Sequence, residues 1–168
     1  MDAIADNDVV VAQAGVTPGS AVHDALVSRA DVMAMTQAAY EAALRPEDAG
    51  GLSHAERAAL AVRVARLNAE EGLAAHYTAL LDETAGSADV KSIADPSFTG
   101  EGDARLAALL AYTDLVSVRP RDARAEDIAA MQEAGVSDAD IVRLAELVAF
   151  LAYQIRVVAG LRLMRGAK

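Results

Sequence analysis

Helix-capping residues followed by apolar residues at helical spacing recur along this chain, and this pattern constrains its fold more than any other feature. The clearest case is Ser53 followed by Glu56, a capping box in which each side chain can satisfy a free backbone N–H group at a helix start. Further candidate helix starts lie at Ser20, Asn68, Ser87, Asp103 and Ser137. No long run alternates between apolar and polar residues, so a sheet is not expected. The sequence predicts an all-α bundle of six or seven helices.

The glycine pair at 50–51 separates a predicted extension from a predicted core. Residues 1–50 are interpreted as an N-terminal arm, whose apolar residues can pack against the body, followed by a helix over about 20–44. Residues 51–168 form the core, with helices predicted over about 53–67, 68–84, 87–93, 103–119, 125–134 and 137–164. Alanine supplies 40 of the 168 residues, which favours closely packed helices because alanine has the highest helix propensity.

The charge balance and the missing residue types exclude several classes of function. The chain carries 25 Asp and Glu against 15 Lys and Arg, a formal charge of −10, which argues against nucleic-acid and anionic-membrane partners. It has no cysteine, which excludes disulfides, thiolate catalysis and cysteine-ligated metal centres. The most apolar stretch, residues 144–163, contains Glu146, Arg156 and Arg162, so no membrane span is predicted. Acidic residues rather than a secretory signal follow Met1, which predicts a cytoplasmic protein.

Sequence patterns for metals and cofactors are missing as well. The acidic residues do not repeat the Glu and Glu-x-x-His spacing of a di-iron bundle. No lysine and Ser/Thr follow the glycines at 50–51 in the spacing of a phosphate-binding loop. We therefore predict neither a metal nor a cofactor.

His76 is the histidine most suited to chemistry because it lies in the middle of a predicted helix. Ala69 and Gly72 share its helix face, so small residues leave room for another group to approach the imidazole. That group can be a ligand or simply another helix. Glu70 and Glu71 precede His76 by six and five residues, a poor spacing for ligation of one metal on the same helix.

Three charged residues leave structural and functional interpretations open. Glu56 has helix capping as its first role, although its carboxylate could also orient an imidazole. Arg63 could pair with a carboxylate on its own or a neighbouring helix. Arg156 lies in an apolar stretch, so it is either buried in an ion pair or exposed at a subunit contact.

The order of these segments resembles the carboxymuconolactone decarboxylase and alkylhydroperoxidase D (AhpD-like) family. The resemblance covers roughly residues 50–164. It rests on residues 52–68 and 73–76, on GVSDADIV at 135–142, which is similar to that family's GLSDEEI turn and helix, and on YQIRVVAGL at 153–161, which is similar to its closing N-x-x-N-R-x-A-x-G helix. The N-terminal segment is similar to extensions found in one subgroup of that family.

The resemblance places the family's catalytic residues on positions that have lost them. The peroxidase motif is Glu, eleven residues, Cys-x-x-Cys, three residues, His. Aligning its histidine with His76 puts the two cysteines at Ala69 and Gly72 and the glutamate at Arg57, next to Glu56. Thiol-based reduction of peroxide is then impossible for this chain alone. The resemblance implies a homo-oligomer, as a trimer, hexamer or dimer.

Three functional hypotheses follow. The first is a non-catalytic oligomeric protein that binds a small ligand or a redox partner, or that only supports an assembly. The second is a cofactor-independent acid/base enzyme, decarboxylase-like or lyase-like, with His76 as the general acid/base, Glu56, Glu70 or Glu71 orienting it, and Arg63 or Arg156 holding an anionic substrate. The third is reduction of a hydroperoxide-like ligand with a thiol from another molecule. The acid/base hypothesis predicts a pocket against the face formed by Ala69, Gly72 and His76. The non-catalytic hypothesis predicts instead that side chains fill this site and leave no cavity.

Overall fold

A computed structural model describes residues 8–84 and 86–166 of the chain. Within these ranges the structure is all-helical, as predicted, and contains no strand. The helices are α1 (Val9–Ala14), α2 (Ala21–Val27), α3 (Ala30–Leu44), α4 (His54–Leu67), α5 (Glu71–Glu83), α6 (Ala88–Ser92), α7 (Ala104–Val118), α8 (Ala125–Glu133) and α9 (Asp138–Gly166). A short 3₁₀ turn at Pro120–Asp122 follows α7.

The described residues form nine α-helices, so the prediction of six or seven was too low. One addition is α1, whose N-cap Asp8 accepts a hydrogen bond from the Val11 N–H group through Oδ1 at 3.0 Å. The β-branched run that begins α1 concealed it, because valine is a weak helix former. The other addition comes from a break at Ser28 and Arg29, which divides the segment predicted over 20–44 into α2 and α3. Residues 1–7 of the predicted arm lie outside the described ranges.

Local capping signals predicted the helix starts at Ser20, Ser53, Ser87, Asp103 and Ser137 correctly and the start at Asn68 wrongly. At the start of α4 the Glu56 N–H group donates to Ser53 Oγ at 3.2 Å, and the Ser53 N–H group donates to Glu56 Oε2 at 2.8 Å, which confirms the capping box. Asn68 does not cap α5. It ends α4 instead, and its amide nitrogen donates to the Val64 carbonyl at 2.9 Å. Glu70 stands at the N-cap of α5 without a side-chain cap hydrogen bond.

The turn between α4 and α5 is a Schellman motif with alanine where glycine is usual. Ala69 has φ of 55°, a left-handed conformation that is sterically unfavourable for any residue with a Cβ atom. Its N–H group donates to the Arg66 carbonyl at 3.0 Å, and the Glu70 N–H group donates to the Ala65 carbonyl at 2.9 Å. This tight turn brings α5 back along α4 as a helical hairpin.

The main core surrounds α4, which packs against α3, α5, α6, α7 and α9. Three alanines of α4, at positions 58, 59 and 61, are fully buried. Their short side chains let the neighbouring helices approach closely, and the larger core residues Leu73, Leu109 and Leu147 come from those neighbours. The alanine-rich sequence of α4 therefore matches its position at the centre of the bundle, where other helices cover it on nearly all sides.

A second, smaller core joins the N-terminal segment to the last part of α9. Val10, Ala14 and Val22 of the N-terminal helices pack with Val158 and Leu161 of α9. The apolar residues of the arm thus pack against the body of the protein. The division into an extension over 1–50 and a core over 51–168 stays a prediction.

By length and composition alone α9 is apolar enough to cross a membrane, although core helices of soluble proteins pass the same test. In its most apolar 18-residue window 44% is buried inside the protein. The buried side includes Leu144, Leu147 and Leu151. The described helix is thus a core element, and the predicted absence of a membrane partner stays a prediction.

Candidate functional site

His76 on α5 forms a hydrogen-bonded pair with Tyr40 on α3. The Tyr40 hydroxyl and His76 Nε2 are 2.9 Å apart, and the two ring centroids are 5.7 Å apart. Phe150 of α9 packs edge-on against Tyr40 with centroids 6.2 Å apart, and Tyr77 packs against His76 at 5.2 Å. Tyr40 is buried, whereas His76 is only half-buried. The imidazole is therefore held in one orientation and still borders the surface.

Burial controls the charge of both members of the pair. Removal from water lowers the pKa of His76 below its usual value, and the nearby Glu83 and Arg45 act on it with opposite signs and smaller effect. Burial also raises the pKa of Tyr40 to about 12. Both groups are therefore uncharged at neutral pH, and the imidazole keeps a lone pair that can accept a proton.

A cleft of about 540 Å³ lies one helical turn from this pair, between the C-terminal ends of α3 and α5 and the start of α4. Leu44 and Leu80, each four residues after Tyr40 and His76, give it an apolar wall. Arg45 and Glu83 line the same cleft and form an ion pair at 2.5 Å. His54 at the start of α4 also lines it, with Nε2 2.9 Å from the Pro46 carbonyl oxygen. The cleft therefore combines an apolar wall with charged groups.

Of the two positions where the resemblance puts cysteines, Gly72 lies beside a polar network from the two ends of the chain. A Cβ atom added to Gly72 would lie 2.8 Å from Gln13 Oε1 and 3.3 Å from Arg162 Nη2. Arg162 pairs with Glu70 at 2.7 Å and also donates to the Gln13 carbonyl at 3.1 Å through Nη2. Gly72 thus faces the arm and α9. Ala69 lies in the turn before α5, so the prediction that it shares a helix face with His76 was wrong. Ala69, Glu71 and Gly72 are all exposed to solvent.

Glu56 is not brought to His76. Its carboxylate accepts hydrogen bonds from Ser53 and pairs with Arg105 of α7 at 3.3 Å. It lines a different cleft, of about 420 Å³. The carboxylate that raises the pKa of His76 belongs to Glu83, a residue the sequence did not single out.

Arg63 is buried, with all its donors used by the protein. Its guanidinium makes two hydrogen bonds of 2.6 Å to Asp114. The remaining donors go to the carbonyl oxygens of Ile93, Asp95, Pro96 and Phe98. Because guanidinium has five N–H groups and all are occupied, Arg63 has none left for an anion. The structure places it as the link between α4, α7 and the segment after α6.

Arg57, at the position where the resemblance puts a glutamate, is a second buried arginine. It is 3% exposed, and it donates to the carbonyl oxygens of Leu52, Ala43 and Ala49. Its guanidinium therefore holds together the end of α3 and the loop before α4.

Arg156 is exposed, so the interpretation that it is buried in an ion pair was wrong, and its place at a subunit contact stays a prediction. Its Nη1 donates to the Ala152 carbonyl one turn earlier at 3.0 Å, and the ion pairs among the described residues do not include it. It borders a third cleft, of about 320 Å³, between α7 and α9.

The described residues hold no group of three or more His, Asp or Glu side chains placed to hold a metal ion.

Tyr40, Arg45 and Glu83 were not predicted as site residues from the sequence. Tyr40 and Arg45 lie in the segment outside the family resemblance, and Glu83 is separated from Arg45 by 38 residues, so no local pattern joins them.

No protein-family model and no curated protein sequence matches this chain. Among solved structures, the chain is similar to an uncharacterized peroxidase-related protein from Silicibacter sp. TM1040. The two share 20% sequence identity with a TM-score of 0.67, over 77% of this chain and 68% of the other. At this identity the likeness shows the fold alone, and the all-helical arrangement is consistent with an AhpD-like helical fold.

Proposed function

We propose that the protein is a non-catalytic, small-ligand-binding member of the AhpD-like fold, with no thiol peroxidase activity of its own. The observation that carries this proposal is the cleft of about 540 Å³ beside the uncharged Tyr40–His76 pair. Its volume is in the range of small-molecule sites. It has an apolar wall for the body of a ligand and an arginine for a polar end.

The lack of cysteine supports the part of the proposal that denies thiol peroxidase activity to this chain. Peroxide reduction on this fold needs one thiolate to attack the O–O bond and a second thiol to close a disulfide. The chain has no cysteine, and the aligned positions hold Ala69 and Gly72. Gly72 is exposed to solvent, beside the network of Gln13, Glu70 and Arg162.

The charges of the cleft support a small organic acid as the ligand. Arg45 and Glu83 are 46% and 65% exposed, so their ion pair contributes little and can open at small cost. A ligand carboxylate can then take the place of Glu83 on the guanidinium, while its hydrocarbon part covers Leu44 and Leu80. A ligand amine would displace Arg45 instead of Glu83, and Arg45 is the less exposed of the two, at 46% against 65%, so water compensates its unpaired charge less well.

The ligand proposal is tested with hexanoate and hexylamine, which carry the same hydrocarbon tail and opposite charges. Hexanoate should bind saturably and raise the melting temperature, and hexylamine should not. Arg45→Gln should abolish the effect of hexanoate, whereas the control Arg29→Gln, at an exposed arginine outside the cleft, should keep it. Equal responses to the two probes, or an unchanged response in Arg45→Gln, would contradict the proposal.

The peroxidase half is tested with purified protein, a hydroperoxide and excess dithiol. The rate of peroxide loss should equal that of the dithiol alone. A saturable rate above this blank would instead support reduction that uses an external thiol.

A second candidate is an acid/base enzyme of the decarboxylase or lyase type. The hydrogen bond between Tyr40 and His76 favours it, because it orients an imidazole whose lowered pKa keeps it ready to accept a proton at neutral pH. Carboxymuconolactone is the trial substrate, with release of CO₂ as the signal. Turnover that disappears in His76→Gln while helicity is unchanged would establish this candidate over the non-catalytic one.

A further inference from the structure

The solvent-facing side of α9 is apolar over most of its length. We define the outer face of α9 by six exposed residues at helical spacing: Val142, Glu146, Ala149, Tyr153, Arg156 and Gly160. Val142 is 57% exposed and Tyr153 is 42% exposed. Only one acidic and one basic residue interrupt this face.

The large apolar side chains left exposed in the described ranges concentrate around this helix. Of six such residues, four are on α9: Val142, Tyr153, Leu163 and Met164. A fifth, Met35, is next to Thr36, whose Oγ1 is 2.9 Å from the Tyr153 hydroxyl. Single exposed apolar residues are ordinary on a soluble protein, whereas their concentration on one face marks a surface that another molecule covers.

We propose that a second copy of this chain covers the outer face of α9, with the two α9 helices antiparallel and a two-fold axis near residue 151. In that register, residues whose numbers add to 302 lie opposite each other. Tyr153 then meets Ala149 of the partner subunit, and Val142 meets Gly160 of the partner subunit. Each large side chain is opposite a small one, which permits close packing of the two helices.

The two charged residues of the face carry the argument for self-association. Glu146 and Arg156 are placed symmetrically about residue 151, so the antiparallel register puts each opposite its complement on the other copy. A two-fold interface uses the same patch twice, and this patch is complementary to itself in both size and charge.

A membrane is the less suitable occupant of this surface. Insertion would bring Glu146 and Arg156 into the hydrocarbon, where neither has a partner across the face. The chain also carries a net charge of −10, which repels an anionic lipid surface. This inference is independent of the proposed ligand site, because no residue of the outer face lines the cleft beside the Tyr40–His76 pair.

Charge reversal tests the interface directly. The molecular mass of the purified protein is measured by sedimentation equilibrium over a range of concentrations. Wild type should be a dimer or a larger assembly containing this pair. In the single variants Glu146→Arg and Arg156→Glu, both symmetry-related pairs across the interface become pairs of like charge. Each variant should therefore raise the dissociation constant of the dimer at least tenfold. The double variant restores both opposite-charge pairs and should recover association.

Glu133→Arg on α8 is the matched control, since it makes the same charge change at an exposed position off the face and should leave association unchanged. Circular dichroism checks that each variant is folded, and Ala149→Glu, which fills the recess opposite Tyr153, should also dissociate the pair. A monomeric wild type, single variants that associate normally, or a double variant that stays dissociated would overturn the proposal. A monomer that binds neutral lipid vesicles through this face would assign it to a membrane instead.

Discussion

Arg63 and His76 lie on the two arms of the same helical hairpin, α4 and α5, yet their surroundings differ sharply. Arg63 is 2% exposed, and every N–H group of its guanidinium has an acceptor. His76 is half-buried, with Nε2 hydrogen-bonded to the Tyr40 hydroxyl and a cleft of about 540 Å³ one helical turn away. One region is closed and fully paired, whereas the other retains bonding capacity at the surface.

This difference separates a structural polar group from a candidate binding group. A buried charge is tolerated only when its partners are complete, and completeness leaves nothing for a ligand. A half-buried pair beside open space keeps an unused ring nitrogen and can respond to a bound molecule. Residue type alone does not separate the two cases.

The largest effect is expected when the closed region is broken. Arg63→Ala leaves Asp114 and the four carbonyl groups of residues 93, 95, 96 and 98 without their donor, and should lower the free energy of unfolding by about 3–5 kcal/mol. Urea unfolding followed by circular dichroism measures it. Arg66→Ala, which removes one hydrogen bond to the Ala94 carbonyl from an exposed arginine, should cost about 1 kcal/mol or less. An equal loss of unfolding free energy in the two variants would contradict the distinction between the buried, fully paired Arg63 and the exposed Arg66.

The pH dependence of stability should report on His76. Its pKa is lowered in the folded protein, so below about pH 6.5 the unfolded chain binds the proton more readily. The contribution of this group is therefore complete above pH 6.5 and is lost as the pH falls from there towards the folded-state pKa. The slope is at most about 1.4 kcal/mol per pH unit. His76→Gln should be flatter than wild type over this range, and a steeper profile in the variant would contradict the assignment.

Removal of the Tyr40 hydroxyl should have a smaller effect. Tyr40→Phe keeps the contact with Phe150 but leaves His76 Nε2 without its partner, at a cost of about 1 kcal/mol. Because His76 borders the surface, water can replace the lost partner, so the cost should be well below that of Arg63→Ala. A loss of about 4 kcal/mol in urea unfolding would show that the pair is as closed as the arginine network.

The smallest expected effect is in the turn that joins the two regions, and it is a gain. Ala69 adopts φ of 55°, which glycine adopts without steric cost. Ala69→Gly should therefore stabilise the protein by about 0.5–1 kcal/mol, despite the greater freedom of glycine in the unfolded chain. Thermal unfolding with Ala75→Gly, an exposed position within α5, as a destabilising control measures the contrast. Destabilisation by Ala69→Gly would show that the turn carries no backbone strain.

The local features of the fold were predictable because their partners are close in sequence. The capping box at Ser53 and Glu56 spans three residues, and the caps at Ser20 and Asp103 have the same range. Asn68 shows the limit of this reasoning, since the same residue type can end a helix by bonding back to Val64.

The features that define the two regions were not predictable because their partners are distant. The acceptors of Arg63 lie 30 to 51 residues away, so its spacing on α4 gives no hint of its burial. His76 was identified from its helix and the resemblance, but Tyr40 is 36 residues away in the segment interpreted as an extension. Burial and pairing depend on tertiary contacts, which a single sequence does not display.

The three histidines provide the most direct test of the proposed binding region. His54 lines the cleft, His76 lies one turn from it, and His23 is on α2, outside the cleft. We expect a titration with hexanoate, followed by NMR of the imidazole carbon and nitrogen signals, to shift His54 and His76 saturably and leave His23 unchanged. Signals that all stay in place, or that drift together without saturation, would contradict a ligand site beside the Tyr40–His76 pair.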